Sequence, residues 1–323
     1  WEWPQGVALY ALYRRYEAKG EAGDLAFIRS WFDRSFERPL PVRNVNTTAP
    51  LLSLACLLGR EDDRALRAFC SGWADWAMRD MPRTEEGGIQ HVTSHLANPG
   101  ELWADTLFMT VLFLARAGIL LGRPELVQEA AYQFLLHIRY LADPESGLWF
   151  HGWSFEGRHH FGKAHWARGN AWFAMAAIEF LEMLGVGDAD DVGGAAARCV
   201  REAFLSQART LARFQAKDGL WHTIIDDPSS YTETSASAGF AYAWLKAIRL
   251  GVMDGEFRPA AALAAERAAR GVVARIDERG FVGGVSHGTA VGWDAEHYRS
   301  IRVAPTAYGQ GLAFLMLTEY EGD

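Results

Sequence analysis

Six stretches of this chain are apolar around nearly the whole circumference of a helix, and they recur along its length: "WEWPQGVALYALYRRYEAKG", "NVNTTAPLLSLACLLG", "LWADTLFMTVLFLARAG", "HWARGNAWFAMAAIEFLEMLG", "YTETSASAGFAYAWLKAIRLG" and "APTAYGQGLAFLMLTEYEG". Each opens on polar or aromatic residues and continues through small and aliphatic ones. Several stop at glycine, which accepts the left-handed geometry of a helix C-cap. A helix apolar all round has no face for water and must be enclosed by protein. Between the six lie five amphipathic stretches, at residues 25–36, 64–79, 125–142, 195–215 and 257–276. This alternation predicts an all-α fold in which enclosed helices surround an axis and amphipathic ones coat them: a double-layered toroid, the (α/α)6 barrel. No Ser/Gly linker or charge block divides residues 1–323, so a single catalytic domain is expected. Six inner segments face five outer ones, and a sixth outer helix is expected before Trp1, since the sequence opens without methionine.

Composition narrows the partners. A formal net charge of −8 argues against a nucleic-acid or anionic-membrane surface. No apolar run reaches membrane-spanning length. Cys56, Cys70 and Cys199 sit in apolar helical stretches, with no CxxC or Cys/His zinc spacing. They read as buried free thiols in a reducing, cytoplasmic setting, without a structural metal. Thirteen tryptophans favour a carbohydrate partner, because indoles stack on sugar faces.

If the inner helices run parallel, their polar and aromatic starts meet at one mouth. Asp105 in "ELWADTLFM" reads either as an N-cap or as a general acid whose pKa the neighbouring Trp103 raises by desolvation. His151 in "WFHGW" lies among aromatics, where it could hydrogen-bond a sugar hydroxyl or orient a carboxylate. His91 and His95 share the loop before Asp105, but nothing near them has metal-ligand spacing. Trp166, Arg168 and Trp172 read as core, or as a site for a flat anion whose carboxylate the guanidinium fork would match. In "SYTETSASAGF", Ser230 or Thr232 reads as a helix cap with Glu233 in the first turn, and Ser235 or Thr234 as a lesser candidate for ligand contact. "DPESGLWFHGW", "AKDGLWHTIIDDP" and "DERGFVGGVSHG" read as hairpins over the mouth, which "WDAEHYR" and "PTAYGQG" close from the C-terminal side.

"WEWPQGVALY", "ELWADTLFM", "HGW", "WARGNAW" and "YTETSASAGFAYA", in this order, resemble glycoside hydrolase family 105, the unsaturated rhamnogalacturonyl hydrolases. The resemblance runs from Trp1 almost to the C-terminus. It implies an (α/α)6 barrel that removes a terminal 4,5-unsaturated uronic acid, with unsaturated galacturonyl-rhamnose the expected substrate, from small lyase-generated oligosaccharides. It places the family's catalytic Asp on Asp105 and its sugar-contacting residues on His151, Trp166, Arg168, Trp172 and His91. Relatives often carry a second Asp at the start of the second inner helix. Here "RNVNTTAP" has none, leaving Asn46 to hold a sugar hydroxyl.

An ordinary glycosidase needs two carboxylates. An unsaturated uronide carries a C4=C5 enol ether, so one Asp can protonate C4 and then deprotonate the water that adds at C5. That route needs no cofactor and no metal. The rival readings are an inverting glycosidase pairing Asp105 with Asp226, Asp294 or Glu233, a sugar epimerase using His151 and His287, and a sugar-binding barrel without activity.

Overall fold

The computed structural model describes residues 1–60, 63–185 and 194–320. Its helices are α1 (Trp3–Lys19), α2 (Ala22–Phe36), α3 (Val45–Thr48), α4 (Pro50–Leu58), α5 (Arg64–Arg79), α6 (Leu112–Leu121, entered through a π-helical turn, Leu107–Val111), α7 (Pro124–Leu141), α8 (Ala167–Met183), α9 (Gly194–Phe214), α10 (Thr234–Arg249), α11 (Arg258–Val273), α12 (Ala295–Arg299) and α13 (Ala307–Tyr320). The inner set is α1, α3/α4, α6, α8, α10 and α13. Each packs on the next, and α13 returns to α1, so the ring is closed. Among the described residues five outer helices, α2, α5, α7, α9 and α11, pack on its outside.

The inner–outer distinction follows from side-chain burial. In α8 every residue from Ala167 to Leu181 is buried, whereas α5 buries Leu66, Cys70, Trp73, Ala74 and Ala77, one stripe at helical spacing. Burying each large apolar side chain contributes roughly 1.5–3 kcal/mol. The contacts are specific as well as oily: Trp149 stacks on Phe173 with centroids 3.7 Å apart.

Several sequence expectations are corrected in detail. Gly118 does not end the third inner helix. It sits inside α6 where α7 crosses, and a Cβ there would lie 2.8 Å from Val127. The helix stops four residues later at Gly122, in the left-handed conformation with φ 67°. The second inner helix breaks into α3 and α4 because Pro50 supplies no amide hydrogen. Cys56 and Cys70 are buried free thiols, but Cys199 is exposed on α9. Gly322, at the end of the last apolar stretch, lies outside the described residues. No helix among the described residues is long and apolar enough to cross a membrane.

The expected hairpins are mostly single β-bridges, Ala142 with Trp149 and Ile276 with Val282, plus the two-residue pair β3 (Trp221–His222) and β4 (Thr232–Glu233). Another pairing went unforeseen. β1 (Glu101–Trp103) runs antiparallel to β2 (Gly152–Ser154), with Trp103 opposite Gly152.

Candidate active site

Two cavities lie at opposite ends of the barrel, and between them they fix the direction of the inner helices. One, of about 560 Å³, is lined from the last turns of every inner helix, by Glu17, Cys56, Ile119, Met183, Arg249 and Glu319 among others. The other, of about 400 Å³, takes residues from helix starts and the loops above them, including Trp3, Asn46, Asp105, Trp166 and Arg168. The inner helices are therefore parallel. The larger cavity is walled by a structural charge network. Buried Glu179 accepts hydrogen bonds from Tyr10, Tyr242 and Lys246, and Glu182 pairs with Lys246 at 2.7 Å and Arg14 at 3.0 Å. The smaller cavity holds the groups suited to chemistry.

Asp105 reaches it through the β1–β2 pairing. The Ala104 amide donates to the His151 carbonyl at 3.0 Å, which sets Asp105 beside the His151 ring. Among the described residues Asp105 caps no backbone amide. Its Oδ2 meets His151 Nε2 at 3.2 Å, its Oδ1 has no hydrogen-bond partner among the described residues, and the side chain is 15% exposed, toward the cavity. The cap reading is thus replaced by a carboxylate with one oxygen held and one free.

The expected rise in its pKa is also corrected. Burial pushes the carboxyl up, but the His151 hydrogen bond and the charge of Arg168, joined at low pH by His151 and His91 as they protonate, outweigh burial, so the net position is below the ordinary carboxyl value. His151 moves down too, because burial outweighs the attraction of Asp105, and it is neutral near pH 7.

His91 bonds Thr106 Oγ1 through Nδ1 at 2.8 Å and stacks on Trp103 with centroids 4.3 Å apart. Burial holds it at about 4, so it is neutral as well. Asn46 borders the cavity with its side-chain amide uncommitted among the described residues. Trp166 and Trp172 are buried walls; Trp166 packs on His151 at 4.2 Å and Trp172 on Phe108 at 5.2 Å.

Arg168 borders the cavity between the rings of Trp166 and Tyr308, 1% exposed, but its fork is largely committed elsewhere. Nη1 donates to the Ser286 carbonyl at 2.8 Å and hydroxyl at 2.5 Å, and Nη2 to the His287 carbonyl at 2.7 Å. The free fork anticipated from sequence is instead a clamp on the loop that supplies Gly288, Thr289 and Ala290 to the wall. Glu233 is itself the N-cap of α10, in place of Ser230 or Thr232. It accepts from the amides of Ala236 at 2.6 Å and Ser286 at 2.9 Å, and Ser235 donates to it rather than to a ligand.

The carboxylates proposed as partners of Asp105 stay off the cavity. Asp226 pairs with His165 at 2.9 Å, Asp294 caps α12, and Glu233 is buried in its cap. Glu2, at the rim and hydrogen-bonded by Ser94, is the other carboxylate in the lining. His287 gives its carbonyl to Arg168 and is not among the lining residues, so the two-histidine epimerase site does not form.

Two residues escaped the sequence reading. Asn170 holds both backbone groups of Trp149, accepting from its amide and donating to its carbonyl at 2.8 Å each, and so pins the segment before β2 that carries His151. Tyr298 places its hydroxyl 3.0 Å from His151 Nδ1. Both lie in motifs singled out for other reasons, "WARGNAW" and "WDAEHYR", but only the fold shows what they touch.

Aromatic walls, sugar-sized volume and one half-free carboxylate at the helix starts of a helical toroid define a glycosidase. The chain matches Glycosyl Hydrolase Family 88 over residues 1–322 and belongs to that family. It is similar to the unsaturated rhamnogalacturonyl hydrolase YesR of Bacillus subtilis, 31% identical over 322 residues, covering 99% of this chain and 89% of that one. Two crystal structures of possible members of the GH105 family are also similar. The one from Salmonella enterica serovar Paratyphi A has TM-score 0.94 and 45% identity, over 99% of this chain and 82% of that one. The one from Klebsiella pneumoniae has TM-score 0.94 and 46% identity over the same shares.

Proposed function

We propose that this enzyme removes a terminal 4,5-unsaturated uronic acid from the oligosaccharides that polysaccharide lyases leave, by hydrating the C4=C5 bond, with unsaturated galacturonyl-rhamnose as its substrate. The observation that carries this is Asp105: a carboxylate with one oxygen held by His151 and one facing an aromatic-walled cavity, while Glu2, the other carboxylate in the described lining, is engaged at the rim by Ser94.

Resting Asp105 is ionised. The substrate brings its own carboxylate into the same cavity, and a like charge there raises the proton affinity of Asp105 and loads it from solvent. The Asp105 proton then passes to C4. The π electrons of C4=C5 form the new C–H bond, and positive charge at C5 is shared with the ring oxygen. Water bonds to C5 and returns a proton to Asp105. The hemiketal opens to a C5 ketone, the ring oxygen becomes the hydroxyl of a C1 hemiacetal, and that hemiacetal expels the next sugar. Atoms and charge balance without cofactor or metal. Asn46 and His91 are the polar groups placed to hold sugar hydroxyls or the carboxylate, the two indoles bound the ring, and Arg168 shapes the wall.

The similarity to YesR supports the rhamnogalacturonan substrate. The same reading takes residues 1–323 as one catalytic unit working in the cytoplasm. The test is a panel of lyase-generated oligosaccharides followed by the absorbance of the unsaturated uronate. Loss of absorbance with release of a new reducing sugar is expected; release with the double bond retained would refute hydration.

A further inference from the structure

The buried polar chain behind Asp105 assigns a role to Tyr298. Among the described residues its hydroxyl has two hydrogen-bond partners: the Gly292 amide at 2.9 Å, which can only donate, and His151 Nδ1 at 3.0 Å. A phenol has one proton to give. With its oxygen accepting from Gly292, that proton has His151 Nδ1 as its acceptor. The opposite arrangement, with Nδ1–H donating, would leave the proton of a 1%-exposed hydroxyl without a partner. Nδ1 therefore accepts, and the single hydrogen of the neutral imidazole sits on Nε2, pointing at Asp105 Oδ2 3.2 Å away.

We propose that Tyr298 is a positioning residue that locks His151 as the Nε2–H tautomer, so that Oδ2 of Asp105 stays an acceptor and the travelling proton is confined to Oδ1. The cavity-facing oxygen is then the one that gives a proton to C4 and later takes one from water. Were His151 to flip to Nδ1–H, its bare Nε2 would draw the Asp105 proton onto Oδ2 and away from substrate. The last step rests on the hydration reading above; the tautomer does not.

The surroundings are built to hold Tyr298 still. α12 is capped by Asp294, whose side chain accepts from the His297 amide at 2.8 Å. Gly292 approaches the His297 ring so closely that a Cβ would lie 2.5 Å from it. The Tyr298 ring packs against Trp166 at 5.7 Å and His151 at 5.8 Å. Tyr298→Phe keeps these ring contacts and removes only the hydroxyl.

The experiment is long-range ¹H–¹⁵N NMR of the ¹⁵N-histidine-labelled enzyme without substrate, with His151 assigned by its absence in His151→Gln. The proposal expects Nε2–H in the wild type, with Nδ1 accepting a hydrogen bond, and in Tyr298→Phe an Nδ1 resonance displaced toward that of a bare acceptor nitrogen. It also expects kcat on the unsaturated disaccharide to fall about 10- to 100-fold in that variant, the range for a lost outer partner, with KM little changed. An Nδ1–H tautomer in the wild type, or an Nδ1 resonance unchanged in Tyr298→Phe, overturns it. The wild-type spectrum is decisive even if the variant folds poorly, and it is independent of which sugar is the substrate.

Discussion

At Asp105 two opposed effects act on one carboxyl, and their balance sets how the enzyme should respond to pH. Burial favours the neutral acid, while His151, His91 and Arg168 favour the anion and prevail. Because the protonated form is the donor, the competent fraction grows as pH falls, and kcat/KM should rise from about pH 7 to about pH 5. A pH–rate profile flat across that interval would deny Asp105 the donor role. Asp105→Asn retains the size of the side chain and loses the proton; turnover should drop by about 10²–10⁴-fold with substrate binding nearly intact. Arg168→Lys keeps the charge but cannot reach Ser286 and His287 in the fork geometry. Its kcat/KM should fall by the equivalent of about 1.5–3 kcal/mol, the worth of a charged hydrogen bond, which steady-state kinetics would read directly.

At the level of elements, the site is assembled by connections rather than by helices alone. Glu233 joins the α10 cap to the Ser286 amide and lies 3.7 Å from Arg168. Glu233→Ala would strip the buried guanidinium of its nearby carboxylate and leave the Ala236 and Ser286 amides without their acceptor, so a loss of about 3–5 kcal/mol of stability is expected in denaturant titration. A change under 1 kcal/mol would show the cap and clamp to be independent. This scale also explains what could be read from sequence. The bounds of α5 match the amphipathic stretch 64–79, and those of α2, α7, α9 and α11 differ by one to three residues, because a stripe of buried side chains repeats at helical spacing over several turns. β1 and β2 span three residues each, too short for any alternation to register, yet their pairing is what sets Asp105 against His151. The committed fork of Arg168 and the Tyr298–His151 bond link residues more than a hundred positions apart, and no local pattern records such a contact.

Across the whole molecule, parallel inner helices gather polar starts at one end and charged last turns at the other. At the second end burial raises the Glu182 carboxyl, but Lys246 and Arg14 bring it from an ordinary 4.5 down to about 2. A depressed carboxyl stabilises the fold above its unfolded value and loses that contribution as pH drops through the folded one. Stability to heat should therefore decline from about pH 4.5 toward about pH 2. Lys246→Met, which strips buried Glu179 of its cation, should cost about 3–5 kcal/mol at neutral pH by the same unfolding assay.

The two ends divide the labour, one holding the ring closed and the other doing chemistry, and the central claim concerns the second. It is tested most directly by NMR of the first-formed product when unsaturated disaccharide is turned over in deuterium oxide. Delivery from a fixed Asp105 predicts deuterium on one face of C4 from the earliest turnovers. Release of a uronic acid with C4=C5 intact, or deuterium spread equally over both faces, would contradict it.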